Sequence, residues 1–484
     1  MHLAPGTWHY MRQTTRREFL RRAAALPPAL PAALAFSAAT PQPNFLLLFP
    51  DQLRFDWIGN PEIPVRTPNL ERLRRRGVLF RRAVVPSPLC APSRACLAAG
   101  KEYDRCGVRS NADNYPLQQT TYYSLLRAAG YHVAGCGKFD LHKGTEDWGL
   151  DGRYLLPEWG FSEGIDNAGK QDAVRSGAVE PKDPYMAYLH ARKLAAVHVE
   201  DFRKRAKLGY PATFSTPLPE EAYCDNWLAN NGLELMQRFP KDKPWHLVVN
   251  FTGPHPPMDI TAGMEKLCRD RRFPQPNRCE QYTPETHVAI RQNYAAMLEN
   301  IDRWVGVFLE AVEKRGELAN TVIAFSSDHG EMLGDHTRWG KNLPWQPSIG
   351  VPLMVAGPGV RQDVSSDALV STMDLAATFL DYAGTRKPPE MDSRTLRPLL
   401  EGRASRHREY LRSGLGRWRL VMDGRYKLVT GFEAQAKRSE GGEQSSAGQS
   451  PPPMLFDLQN DPLENENVAA DAAKQVKRLS ALLP

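Results

Sequence analysis

No stretch of this chain stays apolar for the ~20 residues that a membrane-spanning helix needs. The nearest approach, Ala23–Ala35, is short and broken by Pro27, Pro28 and Pro31, so the mature chain is expected to be soluble. Cysteine is also sparse: seven among 484 residues, an odd number that cannot all pair. Charge of one sign is nearly missing once the N-terminus is set aside. The formal net charge is +7, and residues 1–39 supply +4 of it through Arg12, Arg16, Arg17, Arg21 and Arg22 against Glu18. The remaining +3 gives no ground for a nucleic-acid partner. Internal repeats are absent too.

What is present has the make-up of an ordinary globular protein, 42% hydrophobic and 24% charged. The length exceeds a typical domain, which predicts one large core with a smaller companion. The basic front end reads as an export signal. Thr15-Arg16-Arg17-Glu18-Phe19-Leu20 resembles a twin-arginine motif, and Ala23–Ala35 supplies the apolar stretch. Small residues at Ser37, Ala38 and Ala39 allow cleavage before Pro41. Residues 1–39 are therefore expected to be a signal, and the mature protein periplasmic or extracellular.

Four apolar, β-rich runs end in polar residues. Asn44–Phe49 leads to Asp51 and Gln52, Tyr131–Ala134 to Gly137 and Lys138, Trp245–Phe251 to His255, and Thr321–Phe325 to Asp328 and His329. Continuous apolar runs suit strands covered on both faces, and helical stretches at 69–77, 121–129 and 291–314 lie between them. That order predicts an α/β fold, a large sheet sandwiched by helices, with ligands gathering beyond the carboxyl ends of parallel strands. The four polar clusters would then meet at one edge. Carboxylates with few nitrogens suit a hard divalent cation such as calcium, magnesium or manganese.

A fifth segment is the most specific. Cys90-Ala91-Pro92-Ser93-Arg94, running through Leu97 to Gly100, places a cysteine at the mouth of a predicted helix and an arginine four residues later. Pro92 suits a first helical position and Gly100 an exit. A helix N-terminus also favours anions. The run resembles the signature C-x-P-S-R-x-x-L-x-x-G of the formylglycine-dependent type I sulfatases, within the alkaline phosphatase superfamily; Ala98 is the one mild departure. The resemblance implies that a formylglycine-generating enzyme oxidises Cys90 to 3-oxoalanine before the chain folds. It also implies hydrolysis of a sulfate monoester. One hydroxyl of the hydrated aldehyde would attack sulfur and expel the alcohol, and the second would lose its proton as sulfate leaves.

The same resemblance assigns Asp51, Asp328, His329 and the modified Cys90 to the metal, with Gln52 binding through its amide oxygen or standing just behind. Many sulfatases carry a second acid where Gln52 stands and an asparagine where His329 stands. The Asp-Gln and Asp-His pairs look more like the choline-sulfatase, phosphonate-monoesterase and iduronate-sulfatase-like branch. Arg94, Lys138 and Lys341 are implied to stabilise charge on the sulfate, and His255 matches the family's Pro-His-X-Pro histidine. The family's histidine two places after the first lysine is Asp140 here, while His142 follows two further on. Either His142 takes over as proton donor, or Asp140 alters substrate recognition. Asn111 is expected to reach the site.

Further along, Val351–Val355 reads as another strand, a helical stretch lies near Asp374–Gly384, and Pro388–Pro389 marks a boundary. That divides a catalytic region, 44–385, from a C-terminal α+β subdomain, 390–484. Trp418–Met422 and Arg425–Thr430 read as strands joined by an Asp423-Gly424 hairpin turn, with Met454–Leu458 as a third strand and Ala469–Leu483 as a closing helix. The Gly/Ser/Gln-rich segment 436–453 reads as a mobile loop. Trp148, Trp159 and Trp227, in a middle segment without family motifs, are candidates to stack on a sugar. Cys268 and Cys279 could pair, and independent free thiols are equally open. The expected substrate is a sulfated carbohydrate. Choline sulfate or another alkyl sulfate, a phosphodiester or phosphonate monoester, and an inactive binding relative are the alternatives.

Overall fold

The computed structural model describes residues 42–433 and 451–484; the expected export signal and most of the expected loop at 436–453 lie outside the described residues. The strands up to residue 371 are β1 (Asn44–Leu48), β2 (Gly77–Phe80), β3 (Ala83–Val84), β4 (His132–Gly137), β5 (Glu163–Asp166), β6 (Trp245–Asn250), β7 (Thr321–Phe325), β8 (Leu353–Ala356), β9 (Val364–Ser366) and β10 (Val370–Ser371). Eight of them form one sheet in the order β5-β4-β6-β1-β7-β8-β2-β9, while β3 and β10 pair with each other. Within the large sheet only β8 runs against its neighbours.

Strand β1 explains its own central place. All five residues are buried, and Leu48 pairs with Val249 of β6 on one side and Phe325 of β7 on the other. Phe45 and Leu47 enter one core, which includes Ala95 and Leu97 of the Cys90–Ala99 helix and Phe379 of the Asp374–Tyr382 helix. Leu46 and Leu48 enter the other, with Leu228 of the Cys224–Gln237 helix and Leu298 of the Pro284–Lys314 helix. The expected helix-covered mixed sheet is therefore present. Because β4, β6, β1 and β7 are parallel, Lys138, His255, Asp51 and Asp328 all follow strand ends on one edge.

Three boundaries differ from expectation for identifiable reasons. The helix expected over 291–314 begins at Pro284, because the Thr283 side chain accepts the Thr286 N–H and proline tolerates the first turn. The helix expected over 69–77 spans Pro68–Arg75, and Gly77 opens β2 instead. A Cβ at Gly77 would lie 2.1 Å from the Val355 carbonyl oxygen, so only glycine lets β2 approach β8 there. Strand β4 continues through Gly135 and Gly137, where propensity argued against it.

Towards the C-terminus, β11 (Leu411–Leu415), β12 (Trp418–Met422), β13 (Tyr426–Thr430) and β14 (Met454–Asp457) form an antiparallel sheet. The Asp423-Gly424 turn joins β12 to β13, with Gly424 at φ 94°. The closing helix is shorter than expected, Ala473–Ser480. Lys427 on β13 is wholly buried, pairs with Glu464 and donates to the Pro344 carbonyl at 2.7 Å, which ties this sheet to the segment carrying Lys341. Trp148, Trp159 and Trp227 are 0%, 1% and 7% exposed; they pack in the cores and form no sugar-stacking wall. All seven cysteines are free thiols, Cys268 and Cys279 among them. Among the described residues no helix is long and apolar enough to cross a membrane.

Candidate active site

The Cys90–Ala99 helix opens directly on Cys90, so Pro92 occupies its third position, still within the turn whose N–H groups lack helical partners. Gly100 closes it at φ 61°, the left-handed exit that glycine favours. Asn111 accepts the Ala91 N–H at 3.1 Å and thereby caps the helix beside Cys90. Two further anchors fix the strand ends around this helix. Ser327 Oγ receives the Leu53 N–H at 3.0 Å and donates to the Pro50 carbonyl at 3.0 Å, and Ser93 Oγ donates to the Asp328 carbonyl.

Asp51, Cys90, Asp328 and His329 meet at this edge, each offering one ligand atom within 4.8 Å of the others, and all are buried. The arrangement fits a divalent cation on two independent grounds. Asp51 Oδ1 is buried and accepts no hydrogen bond, a costly state for a carboxylate oxygen unless something positive faces it. His329 Nδ1 lies 3.1 Å from the Gly330 carbonyl, which fixes the proton there and leaves Nε2 as an acceptor, 3.3 Å from Cys90 Sγ and 3.7 Å from Asp51 Oδ1. Gln52 stands apart from this set. Its amide oxygen accepts from Lys341 Nζ at 2.8 Å and its Nε2 donates to Glu331, so it is no ligand in this geometry.

Positive charge surrounds the carboxylates. Lys138 Nζ bonds Asp51 Oδ2 and lies 3.1 Å from Asp140 Oδ2. Lys341 Nζ lies 3.0 Å from Cys90 Sγ. Burial and Asp51 push the Cys90 thiol up, but the Lys138 and Lys341 charges outweigh them and hold it well below the usual thiol range. Burial likewise opposes ionisation of Asp51, and Lys138, His255, Lys341 and Arg94 reverse it, so its carboxyl sits well below its ordinary value. His255 approaches Cys90, and burial together with the Lys341 charge holds its imidazole below the ordinary value.

Two residues do not take the expected positions. Arg94 is committed beneath the site: Nε and Nη2 reach Asp328 Oδ2 at 3.0 and 2.9 Å, and Nη1 donates to the Lys138 carbonyl at 2.7 Å and to Asn250 Oδ1 at 3.0 Å. It braces the carboxylates. His142 does not join the cluster. Its Nε2 meets the Asp147 carbonyl at 3.0 Å, and its ring packs against Trp148 and Trp159 at centroid distances of 5.6 and 5.3 Å. Asp140 takes the place near Lys138, with φ 54°, and its Oδ2 also receives Lys143 Nζ at 3.2 Å. Sequence reasoning missed Lys143 and Glu331, although Glu331 belongs to the motif run Ser326-Ser327-Asp328-His329-Gly330-Glu331.

The pattern of known proteins agrees with this geometry. A sulfatase family model matches residues 43–385, most of the chain. The chain belongs to the sulfatase family. It is similar to an arylsulfatase of Clostridium perfringens, 27% identical over 457 residues and covering 88% of this chain and 90% of that one. It is also similar to a choline-sulfatase of Rhizobium meliloti, 28% identical over 459 residues, with 89% and 83% covered. Among solved structures, one determined in complex with its substrate D-glucosamine-2-N,6-O-disulfate superposes with a TM-score of 0.68 at 18% identity, covering 91% of this sulfatase and 97% of that chain. This sulfatase thus has the fold and the ester-hydrolase class that its Cys90 motif resembles.

Proposed function

We propose that this sulfatase hydrolyses the sulfate monoester of a saccharide, with residue 90 matured to formylglycine and a divalent cation, calcium by preference, held by Asp51, Asp328, His329 and residue 90. The observation that carries this reading is the convergence of four buried ligand atoms on the mouth of the Cys90 helix, with Lys341 reaching the same sulfur. The cation, when bound, supplies charge stabilisation to the sulfate oxygens, and the oxidised side chain supplies an oxygen nucleophile. Everything else falls to the chain's own side chains. Lys138, just after β4, and Lys341, in the loop between β7 and β8, bring positive charge to residue 90 and hold negative charge as it develops on the sulfate. Arg94 keeps Asp51 and Asp328 in register. His255 is the candidate to hand a proton to the leaving alcohol, with the charge of a bound sulfate offsetting the burial and Lys341 that depress its imidazole, since His142 is turned away. The twin-arginine motif supports maturation in the cytoplasm followed by export of the folded enzyme.

An aromatic cluster beside Lys341 supports a ring-shaped substrate. Trp339 lies two residues before Lys341, with the Tyr210 ring 4.4 Å and the Tyr282 ring 5.4 Å away between centroids. Tyr282 is 39% exposed. Sugar faces stack on such rings, and the relative solved with a glucosamine disulfate points to the same chemistry. Trp339→Ala should raise KM for a sulfated saccharide roughly tenfold and leave KM for nitrophenyl sulfate nearly unchanged, on the scale of about 1.4 kcal/mol per tenfold. Equal effects on both substrates would show that the cluster is structural.

The central test is direct. Protein produced beside a formylglycine-generating enzyme should show loss of sulfur at residue 90 by intact mass, and should hydrolyse aryl sulfate and sulfated saccharides when loaded with calcium. Parallel assays on choline sulfate, an aryl phosphodiester and a phosphonate monoester serve as arms. Faster turnover in any of these would replace the saccharide reading. Full activity with an intact thiol would overturn the maturation.

A further inference from the structure

Resting on the sulfatase reading, we propose that Glu331 is a positioning residue for sulfate recognition: it polarises the Gln52 amide so that its oxygen faces Lys341 and aims that ammonium at residue 90. Glu331 is wholly buried, yet fully supplied with donors. Its Oε1 accepts the Leu333 N–H at 2.9 Å and the Gly340 N–H at 2.7 Å. Its Oε2 accepts from the Tyr210 hydroxyl at 2.9 Å and from Gln52 Nε2. None of these contacts is part of the ligand cluster. The carboxylate instead bridges Gln52 to the turn that carries Lys341.

The chemistry of the partners decides which way the amide points. A carboxylate only accepts and an ammonium only donates, whereas a glutamine amide does one at each end. Gln52 lies between the two. With its NH2 towards Glu331 and its oxygen 2.8 Å from Lys341 Nζ, both contacts are satisfied; flipped, both would oppose like with like. The backbone leaves no escape, since the Gln52 N–H donates to Asp328 Oδ1 at 3.0 Å and its carbonyl accepts the Tyr294 hydroxyl at 2.7 Å. The residue is held at φ 69°. Lys341 Nζ then lies 3.0 Å from Cys90 Sγ, where the sulfate must be met. Where many sulfatases carry a second acid, this chain has Gln52, and a buried carboxylate stands one amide further back, at Glu331. There its charge orients a lysine.

Exchange of polarity tests this. Inorganic sulfate binding to the calcium-loaded, matured protein is read by calorimetry, and kcat and KM are measured on aryl sulfate. Glu331→Gln removes the reason for the amide to point one way, and Gln52→Glu sets two carboxylates against each other. Each should weaken sulfate binding and raise KM roughly tenfold or more, the scale of a lost charge-assisted hydrogen bond. The double variant Gln52→Glu/Glu331→Gln again presents an acceptor to Lys341 and a donor behind it, and should recover sulfate affinity to within about threefold of the parent. A residue that merely fills space would show no such reciprocal rescue. Calcium affinity should stay within about threefold in Glu331→Gln, because Glu331 touches none of the four ligand side chains. Where a single variant fails to fold, Gln52→Met removes the acceptor without adding charge and should weaken sulfate binding alike. Unchanged sulfate affinity in folded Glu331→Gln or Gln52→Met, or a double variant no better than the worse single, overturns the proposal. A parent that binds sulfate but cleaves no sulfate ester would instead count against the proposed activity.

Discussion

Cys90→Ala is expected to lower turnover of a sulfate ester by roughly 10⁴-fold or more, the scale seen when a nucleophile that works as a unit with its neighbours is removed. The fold should barely notice. Cys90 is 1% exposed at the first position of its helix, and losing one sulfur there opens a gap smaller than a methylene or two. That costs about 1 kcal/mol and a few degrees of melting temperature. Loss of activity without loss of structure separates chemistry from stability. Cys90→Ser sharpens the result. A serine has one hydroxyl where an aldehyde hydrate has two, so any first sulfate transfer would leave no internal group to release it. At most a single-turnover burst should be seen, followed by silence. Retention of more than about 1% of kcat in Cys90→Ala would remove residue 90 from the chemistry.

How far the sequence reached can be judged from these same residues. Asp51, Asp328 and His255 were legible because each follows a continuous apolar run, and parallel strands bring their carboxyl ends together. The Cys90 helix was legible because its composition fits both ends. Spacing alone could not give the direction in which a loop turns. After β4 the chain places Asp140 in a left-handed conformation, φ 54°. That turn sends Asp140 to Lys138 and Lys143, and His142 to the pocket of Trp148 and Trp159. Two residues of separation decided which side chain faces the site. Arg94 illustrates a second limit. Its place one turn after Cys90 was correct, but only the structure shows Asp328, Asp51 and Asn250 competing for its guanidinium. Gln52 illustrates a third. Whether an amide oxygen meets a metal or a lysine depends on Glu331, 279 positions away in sequence.

Removal of one ligand charge gives the other large effect. Asp51→Asn keeps the size and shape of the side chain and cancels the charge that the cation would share with Lys138 and Arg94. Asp51 Oδ1 is the buried oxygen left without a hydrogen bond, so the loss falls on the atom best placed to bind. Calcium affinity should drop by roughly a hundredfold or more, since even outer-shell partners of a metal typically cost 10–100-fold. Two readouts independent of turnover follow. In the parent protein, calcium at about a hundred times its dissociation constant should add about 2.7 kcal/mol of stability, visible as a rise in melting temperature. In Asp51→Asn, at the same calcium concentration, that rise should fall to a few tenths of a kcal/mol. Isothermal titration should show the matching loss of affinity. The variant's own melting temperature without calcium should fall, because Asp51 is the buried partner of Lys138 and Arg94 and its neutralisation leaves those cations less well compensated. Undiminished calcium stabilisation in Asp51→Asn would place the cation elsewhere and leave Asp51 as a partner of Lys138 alone.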